Sequence, residues 1–180
     1  MWALQATQFL ALFGVAVGAV NFPYEATQLA ESDIGDFSAL AFGNASSVPA
    51  TYQGPKCKLL PEDAAWPSEA QWARFNNSIG GRLMKPRPVG EACYPGPAYN
   101  NATCDFLVNS AKNTRFFFDD PLSMLTTWGE GATCLAMLNT TGRACTQGGF
   151  ALYVVNASST RDIQMAVNFA RNQNLRLVIR

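Results

Sequence analysis

The sequence predicts an α+β fold, with an irregular, helical, cysteine-bearing N-terminal region followed by a βαβ unit. Three observations predict it. All ten prolines lie at or before Pro121, so the chain is turn-rich first and regular last. All five cysteines fall between Cys57 and Cys145 with no Cys-x-x-Cys pair, which points to scattered cross-links rather than a metal site. Residues 151–180 change from strand to helix to strand patterning.

The βαβ unit is the clearest part. Leu152 to Val155 is a short apolar run with two β-branched residues, suited to a buried strand. Ser158 and Ser159 offer an N-cap, and Asp162 stands three residues beyond Ser159 at capping-box spacing. Ile163, Ala166, Val167 and Ala170 form one apolar stripe at helical period, and Asn174 suits a left-handed C-terminal position. Leu175, Leu177 and Ile179 then alternate with Arg176, Val178 and Arg180, a second strand. A parallel strand pair needs such a crossover helix.

Four segments precede or include that unit. Residues 1–20 read as a signal peptide, since Phe9 to Val20 is uncharged and apolar but short of the roughly 20 residues a membrane span needs. Residues 21–56 form an irregular acidic segment, with Glu25, Glu31, Asp33 and Asp36 but no Lys or Arg before Lys56, and a short helix expected near Ala26 to Ala30. Residues 57–150 form a helical, disulfide-bearing region, and residues 151–180 the βαβ unit.

Within 57–150, Ser68 and Gln71 make a capping box after Pro67. Trp72, Phe75, Ile79 and Leu83 follow on one helical face, and Gly80-Gly81 stops that helix. Ala102 to Ala111 is expected to be a helix with Phe106, Leu107 and Ala111 inward. The triplet Phe116-Phe117-Phe118 reads as core.

Composition excludes several functions. With 13 basic and 13 acidic residues the formal net charge is zero, so no global field favours nucleic acid, and no polybasic run favours a membrane surface. The chain has no His, which removes Ser-His-Asp and Cys-His catalysis and mixed Cys/His zinc sites. Five N-glycosylation sequons begin at Asn44, Asn76, Asn101, Asn139 and Asn156, where chance would give fewer than two, so a secreted chain is expected. Asn156 ends a strand and is the least suited to modification. In that compartment Cys57, Cys93, Cys104, Cys134 and Cys145 read as disulfide formers. Two bridges and one leftover leave the pairing open, although Cys134 and Cys145 could close one local loop. The odd thiol is free or has its partner in sequence outside this chain.

The ordered motifs resemble a known family. Cys57, Asp63, Trp66-Pro67-Ser68, Trp72, Asn76 and Gly81-Arg82-Leu83 come first, then Pro88-Val89-Gly90-Glu91-Ala92-Cys93-Tyr94. The chain closes on Tyr153-Val154-Val155-Asn156-Ala157-Ser158-Ser159 and Asn174-Leu175-Arg176-Leu177-Val178-Ile179-Arg180. Together they resemble the N-terminal part of secreted fungal FAD-linked oxidoreductases of the vanillyl-alcohol-oxidase superfamily, the berberine-bridge-enzyme-like branch. The resemblance covers Cys57 to Arg180 and implies a PCMH-type FAD-binding domain. In that family the second strand of the βαβ unit runs into a Gly-rich turn that cradles the FAD pyrophosphate and whose His often carries the flavin.

Arg180 stands just before that turn, where a cation could pair with phosphate, and equally could be an exposed strand-end arginine. The resemblance therefore implies an N-terminal fragment, such as a truncated gene model, splice form or pseudogene product. No catalytic or metal-binding residue is expected in this chain, and FAD is not expected to be retained by it. A full-length relative would oxidise an alcohol, sugar or secondary metabolite, a small-molecule substrate, by hydride transfer to flavin. No nucleic acid is expected as a partner, and no membrane after signal cleavage. The rival reading is a small secreted, glycosylated, disulfide-held binding or effector protein.

Overall fold

A computed structural model describes residues 22–43, 57–110, 120–122 and 131–179. The expected signal peptide, Asn44, the Phe116–Phe118 triplet and Arg180 lie outside the described residues. The described part holds four α-helices, α1 (Glu31–Ile34), α2 (Glu69–Ser78), α3 (Asn101–Asn109) and α4 (Thr160–Asn172). Two short strands, β1 (Leu83–Met84) and β2 (Val154–Val155), complete it.

Local sequence sets the helix ends. At α2 the Ser68 hydroxyl accepts from the Gln71 N–H at 3.3 Å, and the Gln71 side chain accepts from the Ser68 N–H at 2.9 Å, closing the expected capping box. Gly80 and Gly81 stop the helix at φ +66° and +80°. The Gly81 N–H reaches back to the Asn76 carbonyl and the Gly80 N–H to that of Asn77, a Schellman closure that favours residues without a Cβ. Helix α4 ends the same way. Asn174 takes φ +52°, and the Leu175 N–H bonds the Ala170 carbonyl at 2.8 Å.

One core lies between α2, α4 and the N-terminal segment. Leu29, Ile34, Phe37 and Leu40 pack with Trp72, Phe75, Ile79, Met165 and Phe169. Phe75 and Phe169 stack with ring centroids 4.3 Å apart, and Trp72 stacks on Tyr153 at 3.8 Å. A second, smaller cluster joins Cys93, Tyr94, Cys104 and Cys134. It holds two disulfides, Cys93–Cys104 and Cys134–Cys145. The local loop expected between Cys134 and Cys145 is therefore closed.

The expected βαβ unit is not formed. β2 pairs antiparallel with β1, Leu83 opposite Val155 and Met84 opposite Val154, and residues 175–179 are not in a strand. The turn after α4 explains the difference. The Asn174 carbonyl accepts from the Leu59 N–H at 3.1 Å, and the Asn174 side chain donates to the Cys57 carbonyl at 3.0 Å. The chain leaving α4 is tied to residues 57–59, while β2 hydrogen-bonds β1. Period-two alternation fixes which residues share a face but not which strand lies alongside.

Three helix expectations are also corrected. The short helix near Ala26 to Ala30 is displaced to a 3₁₀ turn at Pro23–Ala26 and to α1, because Pro23 suits the first position of a turn. Phe106 on α3 is 56% exposed, while Cys104 and Leu107 face inward, since the bridge to Cys93 fixes which side of α3 meets the chain. On α4, Ile163 and Val167 of the expected stripe are exposed, while Ala170 is buried and Ala166 packs on the core beside Met165, Phe169 and the buried Asp162.

Candidate functional site

The most organised polar feature is the start of α4. Asp162 is an N3 residue whose side chain is fully buried. One carboxylate oxygen accepts from the Ser158 N–H at 2.9 Å, the Ser159 N–H at 3.1 Å and the Ser158 hydroxyl at 3.1 Å. The other accepts from the Arg82 guanidinium at 2.5 Å. The Ser159 hydroxyl accepts from the Asp162 N–H at 3.2 Å, completing the capping box that the sequence predicts.

Burial alone pushes the Asp162 carboxyl up. The Arg82 guanidinium and the Ser158 and Ser159 donors outweigh it and hold the group below the usual aspartate value. Arg82 is carried by the segment that enters β1, and its carbonyl accepts from the Asn156 N–H just after β2. The ion pair therefore joins the two-stranded sheet to the start of α4.

This geometry decides what the helix end can do. A bare helix N-terminus is an anion site. Here the helix's own carboxylate fills it, and that carboxylate is neutralised by Arg82. The Asp162 carboxylate thus occupies the start of α4 as a structural joint between that helix and the two-stranded sheet.

The sequence-predicted residues are not brought together: Cys93, Cys104 and Cys134 are buried in the second cluster, and the others are dispersed. Cys57 is exposed and outside both bridges. Asn101 is exposed at the first turn of α3, its amide donating to Asp105 at 3.0 Å. Asn139 and Asn156 are exposed, whereas Asn76 is half-buried in α2 and accepts from the Leu83 N–H at 2.9 Å. Sequence reasoning reads Asp162 only as a cap and misses its pairing with Arg82. It also misses Asn168, which is buried and donates to the Leu40 carbonyl at 2.9 Å. An Asn beside the apolar stripe of an otherwise amphipathic helix is the signal that could have found it.

A dinucleotide such as FAD needs donors for its pyrophosphate and a slot for its ring system. Two cavities among the described residues, about 340 and 250 Å³, are open grooves. One lies beside Phe37, Arg74 and Gln173, the other beside Tyr94, Pro97 and Arg143. Neither lies at residues 175–179, and the α4 start is closed by Asp162. The described residues do not by themselves fit FAD. Among them, no group of three or more acidic or Cys side chains could hold a metal ion, and no helix is long and apolar enough to cross a membrane.

The fold itself has known counterparts. It superposes on the crystal structure of the VAO-type flavoprotein MtVAO615 from Myceliophthora thermophila with TM-score 0.64 and 31% identity, over 69% of this chain and 23% of that one. MtVAO713 from the same organism matches with TM-score 0.62 and 32% identity, over 69% and 22%. The chain is thus similar to VAO-type flavoproteins, matched over part of their length.

At the level of particular proteins, the relatives are fungal FAD-linked oxidoreductases. The chain is 36% identical to FAD-linked oxidoreductase apf9 of Gibberella fujikuroi over 142 residues, 79% of this chain and 23% of that protein. It is 33% identical to FAD-linked oxidoreductase sor8 of Hypocrea jecorina over 177 residues, 98% of this chain and 28% of that one. It therefore spans only about a quarter of the length of these relatives. No family model matches the chain.

Proposed function

We propose that this chain is the N-terminal scaffold of a secreted FAD-dependent oxidoreductase, and that alone it neither retains FAD nor catalyses. The observation that supports this most is the 33% identity to sor8 across 98% of the chain, together with the closed α4 start. In the longer protein a bound flavin supplies the hydride acceptor for oxidation of an alcohol, sugar or secondary metabolite. The present residues contribute position only: the Arg82–Asp162 pair and the stacked Phe75 and Phe169 hold β1, β2 and α4 together. The apolar leader, five sequons and two disulfides support a secreted product.

A second reading, a small secreted binding or effector protein, is favoured by one feature. The described residues already bury a core of their own, and two local disulfides staple a second, smaller cluster. Transcript sequencing past the Arg180 codon separates the two. The oxidoreductase reading expects an open frame that continues into a Gly-rich turn bearing His. A stop codon with no remnant of such a turn nearby supports the effector reading instead.

A further inference from the structure

The acidic segment singled out in the sequence has no part in the proposed chemistry, yet its contacts are unusually ordered. Residues 27–41 run along one side of α4 and are gripped at each successive turn of that helix. At the first turn the Arg161 N–H donates to the Thr27 carbonyl at 3.0 Å, and the Arg161 guanidinium meets Asp33 at 3.3 Å. At the next, the Gln164 side chain accepts from the Leu29 N–H at 2.7 Å and donates to the Gln28 side chain. Asn168 donates to the Leu40 carbonyl at 2.9 Å. Asn172 donates to the Ala39 and Ala41 carbonyls at 2.9 and 3.0 Å.

Most of these bonds read the segment's backbone rather than its side chains. Its apolar residues Leu29, Ile34, Phe37 and Leu40 drop between the rungs into the core. Charge is complementary across the contact. Residues 21–55 have no basic residue, and Asp33 and Asp36 are met by Arg161 on α4 and Arg74 on α2. Backbone capture, spaced apolar anchors and opposite charge together are how a helix face holds a peptide ligand.

We propose that this face of α4 is a peptide-docking surface and that residues 22–43 are its built-in ligand, an acidic strap that can be exchanged for the same segment supplied in trans. Apart from the chain that joins it to Cys57, no covalent link ties the strap to the body: residues 22–43 have no cysteine, and both disulfides lie in the other cluster. An equivalent strap from a second copy of the chain fits the same rungs.

The test uses the full chain with a protease site inserted between Pro49 and Ala50. After cutting, the two pieces are expected to co-elute on gel filtration. A fluorescent synthetic peptide of residues 22–43, added in excess, is expected to replace the native strap. The same peptide with Phe37→Ala and Leu40→Ala is expected to bind at least about tenfold more weakly, since each change empties a core site while the body is unaltered. On the body, Asn168→Ala is expected to weaken retention several-fold through loss of one carbonyl bond. Dissociation or aggregation after cutting overturns the proposal, as does equal binding by the doubly substituted peptide.

Discussion

Asp162 has four hydrogen bonds converging on its carboxylate. Its carboxylate caps α4, satisfies Ser158 and Ser159, and neutralises Arg82 inside the fold. Replacing it by Ala removes the cap and leaves Arg82 without its partner, so a loss of about 2–4 kcal/mol is expected in urea unfolding. The pH dependence has a definite sign. The folded group titrates below the usual aspartate value, so its stabilisation is complete above about pH 4 and fades as pH falls through the lowered value. Melting curves from pH 6 downward should show an acid-limb decline that is shallower in Asp162→Ala.

Gly90 gives a second prediction at this scale. A Cβ there would stand 2.3 Å from the Cys134 carbonyl oxygen and 3.0 Å from the Ala136 N–H nitrogen, both backbone atoms that cannot swing aside. Gly90→Ala should cost about 1–3 kcal/mol, read as a lowered midpoint of thermal unfolding.

Among the elements, α4 carries the most, and it shows where sequence reading stops. Its start, its stop and its existence follow from Ser159, Asp162 and Asn174, because capping chemistry is local. Its buried face does not. The helix has two apolar stripes, Ile163 with Val167 and Met165 with Phe169, and helical period alone does not rank them. The core chooses the second because Phe169 stacks on Phe75 and the acidic strap covers that side. Phe169→Ala should therefore cost about 3–5 kcal/mol. Val167→Ala, on the exposed face, should stay within about 0.5 kcal/mol in the same urea titration. Comparable losses at the two positions would contradict this orientation.

The same limit explains the strands. Val154 and Val155 are legible as β, but their antiparallel partner Leu83–Met84 lies some 70 residues earlier in the sequence, and no local pattern names it. The two disulfides are half legible. Cys134 and Cys145 frame a turn at Thr141-Gly142, whereas Cys93 pairs with Cys104 across a loop whose closure depends on how the first turn of α3 is presented.

For the whole molecule, the ordered motifs from Cys57 onward were enough to locate the flavoprotein class, because short polar and aromatic signatures in fixed order survive where strand pairing cannot be read. They name no residue of a cofactor site except Arg180, which lies outside the described residues. The exposed Leu177, Val178 and Ile179 leave an apolar end beside that closed core. The proposal at stake is that this chain, similar to VAO-type flavoproteins over about a quarter of their length, does not hold the flavin by itself. Fluorescence titration of FAD against the purified 180-residue chain tests it most directly. The account predicts no saturable change and a colourless protein after gel filtration; a yellow protein holding one FAD per chain would contradict it.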